Sequence, residues 1–250
     1  MNFKYSKELN ILLNEPLLFI TIPIASFILF FLFLLKRIIL FRFGFLHSDR
    51  IGHFALNTEL WLCEKKNINK SKLIFDFFYI PTKICNNQLY IMWKRHFTFL
   101  PKILLRPFCL LVRKFSFLKD HIAGVTISGD YDKDNLLDKY NSQIYFTDYE
   151  ISEGNKQLNK LGIPLNQKYI CLIVRDESYL KANNPKLEHK HSHRNFDIED
   201  FKMVSEYLVK QGYYVIRMGS VVKSKISFSS DRIIDYANSN NQNDFMDIFL

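Results

Sequence analysis

The segment Leu17–Leu35, LLFITIPIASFILFFLFLL, carries no charged residue. At about 1.5 Å per residue a helix of this length covers about 28 Å, close to the hydrocarbon thickness of a bilayer. Only Thr21, Pro23 and Ser26 interrupt it, and all three are tolerated in lipid-spanning helices. The run is long for the apolar core of a signal peptide, and no small-x-small cleavage site precedes the next basic cluster. The reading is a retained transmembrane anchor occupying residues 1–37. Lys36, Arg37 and Arg42 follow it, whereas Lys4 and Lys7 before it are offset by Glu8 and Glu15. Positive residues stay in the cytoplasm, so the body is expected on the cytoplasmic side of the inner membrane, tethered by a single pass. Cys63, Cys85, Cys109 and Cys171 form no C-x-x-C pair and read as free thiols of a reducing compartment.

The 250 residues leave room for two small domains beyond the anchor. Apolar residues make up 48% of the chain, enough for a real core, and the scarcity of glycine and proline (8 and 7) argues against disorder. A net charge of +9 suits nucleic acid, anionic lipid or phosphorylated substrates. The distribution narrows that choice. From Phe77 to Lys119 there is no acidic residue, and Lys83, Lys94, Arg95, Lys102, Arg106, Arg113, Lys114 and Lys119 alternate with aromatic and aliphatic side chains. Such a basic, aromatic-rich stretch suits a helix lying on anionic lipid, kinked or restarted at Pro107. The alternative is a core helix with solvated lysines. No RNA-recognition module accompanies it, so nucleic acid is not expected as a partner.

Local patterns predict an α/β body. Ile38–Leu46 reads as a buried strand, His47–Arg50 as a turn, and Phe54–Lys66 as a helix with Leu56, Leu60 and Cys63 on one face. Strand, glycine-containing loop and helix open a doubly wound sheet, although one glycine makes no dinucleotide fingerprint. Leu73–Ile80 is a second strand and Asn86–Phe97 a second helix; Asp120–Gly129 leads to another short strand, and Ile144–Thr147 is a further β run. Ser152–Leu161 is predicted helical, stopping at Gly162 with Pro164 beyond, which sets a boundary between domains 38–164 and 165–250. A second βαβ unit follows: strand Tyr169–Val174, a long polar loop Arg175–Asn195, helix Asp197–Gly212 with Ile198, Phe201, Val204, Tyr207 and Leu208 as its apolar face, strand Tyr213–Met218, strand Ile233–Tyr236, and a helix from Asp244 to Leu250. The second unit is expected to be incomplete, as in a fragment or a truncated reading frame.

Several blocks in order resemble a poorly characterised group of bacterial glycosyltransferases encoded among surface-polysaccharide genes. The first is Arg50-Ile51-Gly52-His53 with Leu56-Asn57-Thr58-Glu59-Leu60. The second is Val174-Arg175-Asp176 with Tyr179-Leu180, Arg194-Asn195 and Tyr214 to Gly219. The third is Ile234 to Ala237 with Asp244 to Leu250. The resemblance implies two Rossmann-like units of the GT-B kind, with the nucleotide-sugar donor mainly on the second, apparently truncated, one. It also implies a lipid-linked or polysaccharide acceptor. The rival reading is a non-catalytic membrane-surface binding module.

The chemistry expected of such a protein selects residues. A base must take the acceptor hydroxyl proton; His53, Glu59 and Asp49 are the catalytic candidates, with Arg50, Gly52 and Asn57 beside them as binding residues. A diphosphate leaving group gains charge as the sugar bond breaks, and guanidinium groups can neutralise it. Arg175, Arg194 and Arg217 are therefore expected on the donor, with Asp176, Asn195, Gly219 and Ser220 alongside. In the competing structural reading Asp49 caps the helix, His53 packs locally, and the arginines pair with Asp176, Glu177 and Asp197. His189, His191 and His193 lack accompanying cysteines or clustered carboxylates, so no metal is expected, and no cofactor beyond the nucleotide-sugar substrate. The sequon Asn69-Lys70-Ser71 is read as chance.

Overall fold

The computed structural model describes residues 15–66, 72–124, 132, 134–183, 185 and 189–250. The sequon at 69–71, the basic residues before Leu17 and most of the strand expected within 120–129 lie outside them. The chain forms two compact units, residues 1–145 and 146–250. Each holds a three-stranded parallel sheet.

In the first unit the apolar segment is helix α1 (Leu18–Leu35). Strand β1 (Ile39–Phe45) follows, then a π-helical turn His53–Asn57 running into α2 (Thr58–Lys66), and strand β2 (Leu73–Tyr79). Helix α3 (Asn87–Trp93), strand β3 (Thr98–Phe99), helix α4 (Lys102–Lys114) and a 3-10 turn Ser116–His121 come next. The strands lie in the order β1-β2-β3, and Ile122 bridges in parallel to Phe43 on the free side of β1. Side-chain alternation divides the sheet. Phe41, Phe43 and Phe45 of β1 share a face with Phe75, Phe77 and Tyr79 of β2, and their rings associate at 5.5–6.2 Å. Arg42, Asp76 and Phe78 point the other way, towards Trp61 of α2.

The aromatic face is covered by α4 and also by α1. Ala25 and Leu29 of α1 are buried in one cluster with Phe43, Tyr79, Leu105, Cys109 and Val112. Each fully buried Leu, Val or Phe among them contributes about 1.5–3 kcal/mol. Burial pushes the Tyr79 hydroxyl and the Cys109 thiol both up to about 12. Expected as a transmembrane anchor, α1 is also attached along one stripe to the first unit. Its other faces expose large apolar side chains, among them Phe19, Ile24, Phe27, Phe30 and Leu34. It is the one helix among the described residues long and apolar enough to cross a membrane, by length and composition.

The basic stretch 77–119 is distributed differently from the expectation of a lipid-lying surface. Trp93, Phe97, Leu105 and Leu111 are core residues. Lys102 and Arg106 meet Glu15 at 3.5 and 2.7 Å. Helix α4 runs through Pro107 without a break. Of the larger apolar residues from 102 to 118, only Ile103, Leu104, Phe115 and Phe117 are exposed.

A short helix α5 (Leu136–Lys139) closes the first unit, its first N–H groups held by the Asp132 carboxylate. The second unit opens with α6 (Asp148–Lys160), where Thr147 and Glu150 form a reciprocal capping box. Ile144–Thr147 is therefore a loop and a helix cap in place of the expected strand. Strand β4 (Tyr169–Ile173), helices α7 (Ser178–Asn183) and α8 (Lys202–Lys210), and strands β5 (Tyr214–Met218) and β6 (Ile233–Ile234) follow, then α9 (Met246–Phe249). Leu158 and Ile163 pack with Tyr214, Ile216, Tyr236 and Met246. The helix placed before the boundary thus belongs to the second core, and the division falls at 145/146 rather than at Gly162–Pro164. Of the apolar face expected along 197–212, Ile198 is buried in the 3-10 turn Ile198–Phe201 that precedes α8, while Val204 and Tyr207 on α8 are exposed.

Candidate functional site

In an open parallel sheet, ligands bind beyond the carboxyl ends of the strands, where successive connections diverge. In the first unit that point lies beside β1, between its end and the segment through Ile122. The two backbones approach closely. A Cβ added to Gly44 would stand 2.4 Å from the Ala123 carbonyl oxygen, so glycine alone fits there. His121 is fully buried behind this seam, its Nδ1 2.7 Å from the Phe41 carbonyl.

The loop leaving β1 is stitched to its neighbour. Ser48 is buried, its hydroxyl donating to the Lys83 carbonyl at 2.9 Å while its own carbonyl accepts from Cys85 N–H at 2.8 Å. Trp93 Nε1 donates to the Phe54 carbonyl at 3.0 Å and pins the start of the π turn. These fixed points present His47, Asp49, Arg50 and His53 at the carboxyl end of β1. The imidazoles of His47 and His53 lie 6.2 Å apart. Phe45 touches His47 on one side, and its ring lies 4.8 Å from the Arg113 guanidinium. Arg113 Nη2 in turn reaches the Ala123 carbonyl at 3.5 Å. One imidazole and a guanidinium thus meet Phe45, and the second imidazole, His53, lies beyond His47. Gly52 has ordinary helical angles, and a Cβ there would meet nothing within 4 Å, so the space beside His53 is open.

Glu59 does not join that group. It lines a separate cleft of about 450 Å³ with Leu56, Leu137, Tyr140 and Ile144. Its Oε1 accepts from Gln143 N–H at 2.7 Å, and its Oε2 is buried without a partner. Burial in this apolar setting raises its carboxyl above the usual range, against the Gln143 bond and Lys66. The His96 imidazole is lowered by its own burial, which a bond with the Gln143 backbone partly counteracts. A carboxyl shifted upward is better matched to proton transfer near neutrality. Asn57, two residues earlier, is buried.

In the second unit Asp176 is a loop organiser. Its Oδ1 accepts from Ser178 N–H at 2.8 Å and its Oδ2 from Lys223 N–H at 2.9 Å. Arg217 is buried in the sheet, with Nη1 3.1 Å from Asp235 Oδ1 and 3.2 Å from the Ser224 carbonyl. It braces the loop that follows β5. Arg175 is half-buried, its carbonyl accepting from Phe196 N–H at 2.9 Å, and Arg194 is exposed. Asn195 Oδ1 is buried without a partner. Gly219 has φ +147°, and a Cβ there would stand 2.7 Å from Val222 Cγ1; Ser220 beside it is exposed. His189–Arg194 is a 3-10 turn, and among the described residues no three His, Cys, Asp or Glu side chains gather as metal ligands.

No protein-family model, curated protein or solved structure matches this chain. The site residues that sequence reasoning did not select are His47 and Arg113. His47 continues the two-residue alternation of Phe41, Phe43 and Phe45 onto the same face, a signal available in the sequence. Arg113 reaches the site only through the packing of α4 on the sheet.

Proposed function

We propose that this chain is a membrane-associated, glycosyltransferase-like protein of the GT-B type, moving a sugar from a nucleotide-sugar donor to a lipid-linked or polysaccharide acceptor. The observation that supports this reading is the His47–His53–Arg113 group at the carboxyl end of β1. His53 is assigned as the base. It takes the acceptor hydroxyl proton as that oxygen bonds to the sugar, while the bond from the sugar to the diphosphate breaks. Arg113 keeps the neighbourhood positive and suits an anionic ligand. Arg175 and Arg194 are assigned to the departing diphosphate, Arg217 being committed to Asp235. The body is assigned to the cytoplasmic side, where protease added to sealed inverted vesicles should digest it.

The decisive experiment is calorimetric titration of the full chain in detergent with nucleoside diphosphates. Saturable binding weakened at least tenfold by Arg175→Gln, together with sugar transfer lost in His53→Gln, is the expected result. The exposed apolar faces of α1 favour one other reading, a non-catalytic membrane-surface binding module. A folded chain that binds vesicles but no nucleoside diphosphate would leave that module as the function.

A further inference from the structure

Helices α1 and α4 lie side by side and run the same way. Glu15, just before α1, pairs with Lys102 and Arg106 at the start of α4. Further along, the two helices part around an open apolar groove of about 220 Å³, whose walls include Leu29 and Phe33 of α1 and Leu111, Phe117 and Leu118 opposite. Ser26 is the one polar side chain lining it, and its hydroxyl is directed to the Ile22 carbonyl at 2.9 Å. The groove therefore offers no side-chain donor to a polar ligand. Phe33 and Phe117 meet edge to face at 5.8 Å on its border.

Two features outside the groove identify its occupant. Its α1 wall continues into Phe27, Phe31 and Leu34, which are 67%, 48% and 60% exposed. A hydrocarbon chain can thus pass from a bilayer into the groove without crossing water. At the same end, Lys36 sits 4.4 Å from the Phe33 ring centre and pairs with Asp120, with Arg37 and Lys119 exposed beside them. Cations flanking an apolar opening complement an anionic headgroup above a buried tail.

We infer that the groove between α1 and α4 holds one acyl chain of an anionic bilayer phospholipid, with its headgroup against the cations that follow α1. The inference rests on the membrane association proposed above and not on the sugar chemistry.

The test uses the full chain and vesicles of phosphatidylcholine and phosphatidylglycerol, the latter carrying a photoreactive diazirine on its acyl chain. Flotation measures membrane association, and peptide mapping after irradiation locates the lipid adducts. The expected map has adducts on Leu111 and Leu118, inside the groove, as well as on the outer face of α1. Ser26→Phe, which fills the groove, should lower the Leu118 adduct several-fold while flotation and circular dichroism stay unchanged. Should that variant misfold, the wild-type map decides alone. A chain that floats but is labelled only at outward residues such as Phe27 and Phe31 overturns the groove and leaves the membrane reading standing. A chain that floats without lipid adducts at Leu111 and Leu118 and sediments in detergent as a dimer that Ser26→Phe dissociates would assign the groove to a second copy of the chain. Failure to float overturns both readings.

Discussion

Each unit buries an arginine against an aspartate, and the two pairs are built differently. Arg42 and Asp76 face each other in register on β1 and β2. They meet through two hydrogen bonds, of 2.6 and 2.9 Å. Lys65 of α2 adds a third contact at 2.8 Å, and the guanidinium lies 4.7 Å from the Trp61 ring centre. In the second unit Arg217 reaches Asp235 through one nitrogen at 3.1 Å, and its Nε is left without a partner. Asp235 divides its other oxygen between Ile226 N–H and Asn238 Nδ2. The first pair joins strand to strand and sheet to helix; the second shapes the loop between β5 and β6. A buried charge is tolerated when its partners are complete, and the number of partners separates a structural lock from a loop brace.

That contrast can be broken by mutation, read separately in the two units because Trp61 and Trp93 both lie in the first. The largest effect is expected from Asp76→Ala, which strands Arg42 and Lys65 and should cost about 3–5 kcal/mol in urea unfolding followed by tryptophan fluorescence. Replacing both partners, Arg42→Met with Asp76→Leu, should recover most of that loss. Asp235→Ala should cost less, about 1–3 kcal/mol, and appear in circular dichroism with little change in the tryptophan signal. Equal costs for the two aspartates would end the distinction. Next comes Gly44→Ala, whose methyl meets the Ala123 carbonyl and should cost about 1–3 kcal/mol. Smaller again are the helix caps. Asn86→Ala and Thr147→Ala each remove a side-chain acceptor and should cost about 1 kcal/mol, with Thr147 the larger because its hydroxyl also donates to Glu150 Oε2.

The smallest effect is a change of pH dependence. Burial raises the folded Glu59 carboxyl above its ordinary 4.5, so the folded state holds this proton more tightly. The stability it contributes is complete below the unfolded value and lost as pH rises through the folded one. Glu59→Gln keeps an acceptor for Gln143 N–H and removes the titration. Its urea midpoint should fall less than wild type's between acid and neutral pH.

Strands β1, β2, β4 and β5 were legible within a residue or two, because uninterrupted branched and aromatic runs bounded by turns have few other outcomes. The helix expected from Phe54 to Lys66 is present, but its first turn is π-helical, a detail that periodicity alone does not encode. The expected β run at 144–147 became a cap because Thr147 and Glu150 stand at capping-box spacing, a stronger local signal than three apolar residues. At the site, Asp49, Arg50, Gly52 and His53 were legible from their place after the first strand. Glu59, one turn later than the loop, faces another cleft, a matter of helical phase. Arg217 was read by its chemistry alone. Its burial depends on Asp235, eighteen residues away in sequence, and no local pattern joins the two.

The second sheet has a further consequence in the test tube. Among the described residues β4 pairs only with β5, and Ile173 at its end is 80% exposed. Unpaired edges of this kind are where dissolved chains recruit one another. Concentrated samples should begin to self-associate along β4, and a single charge at this edge, as in Ile173→Lys, should raise the concentration at which the protein can be stored and crystallised.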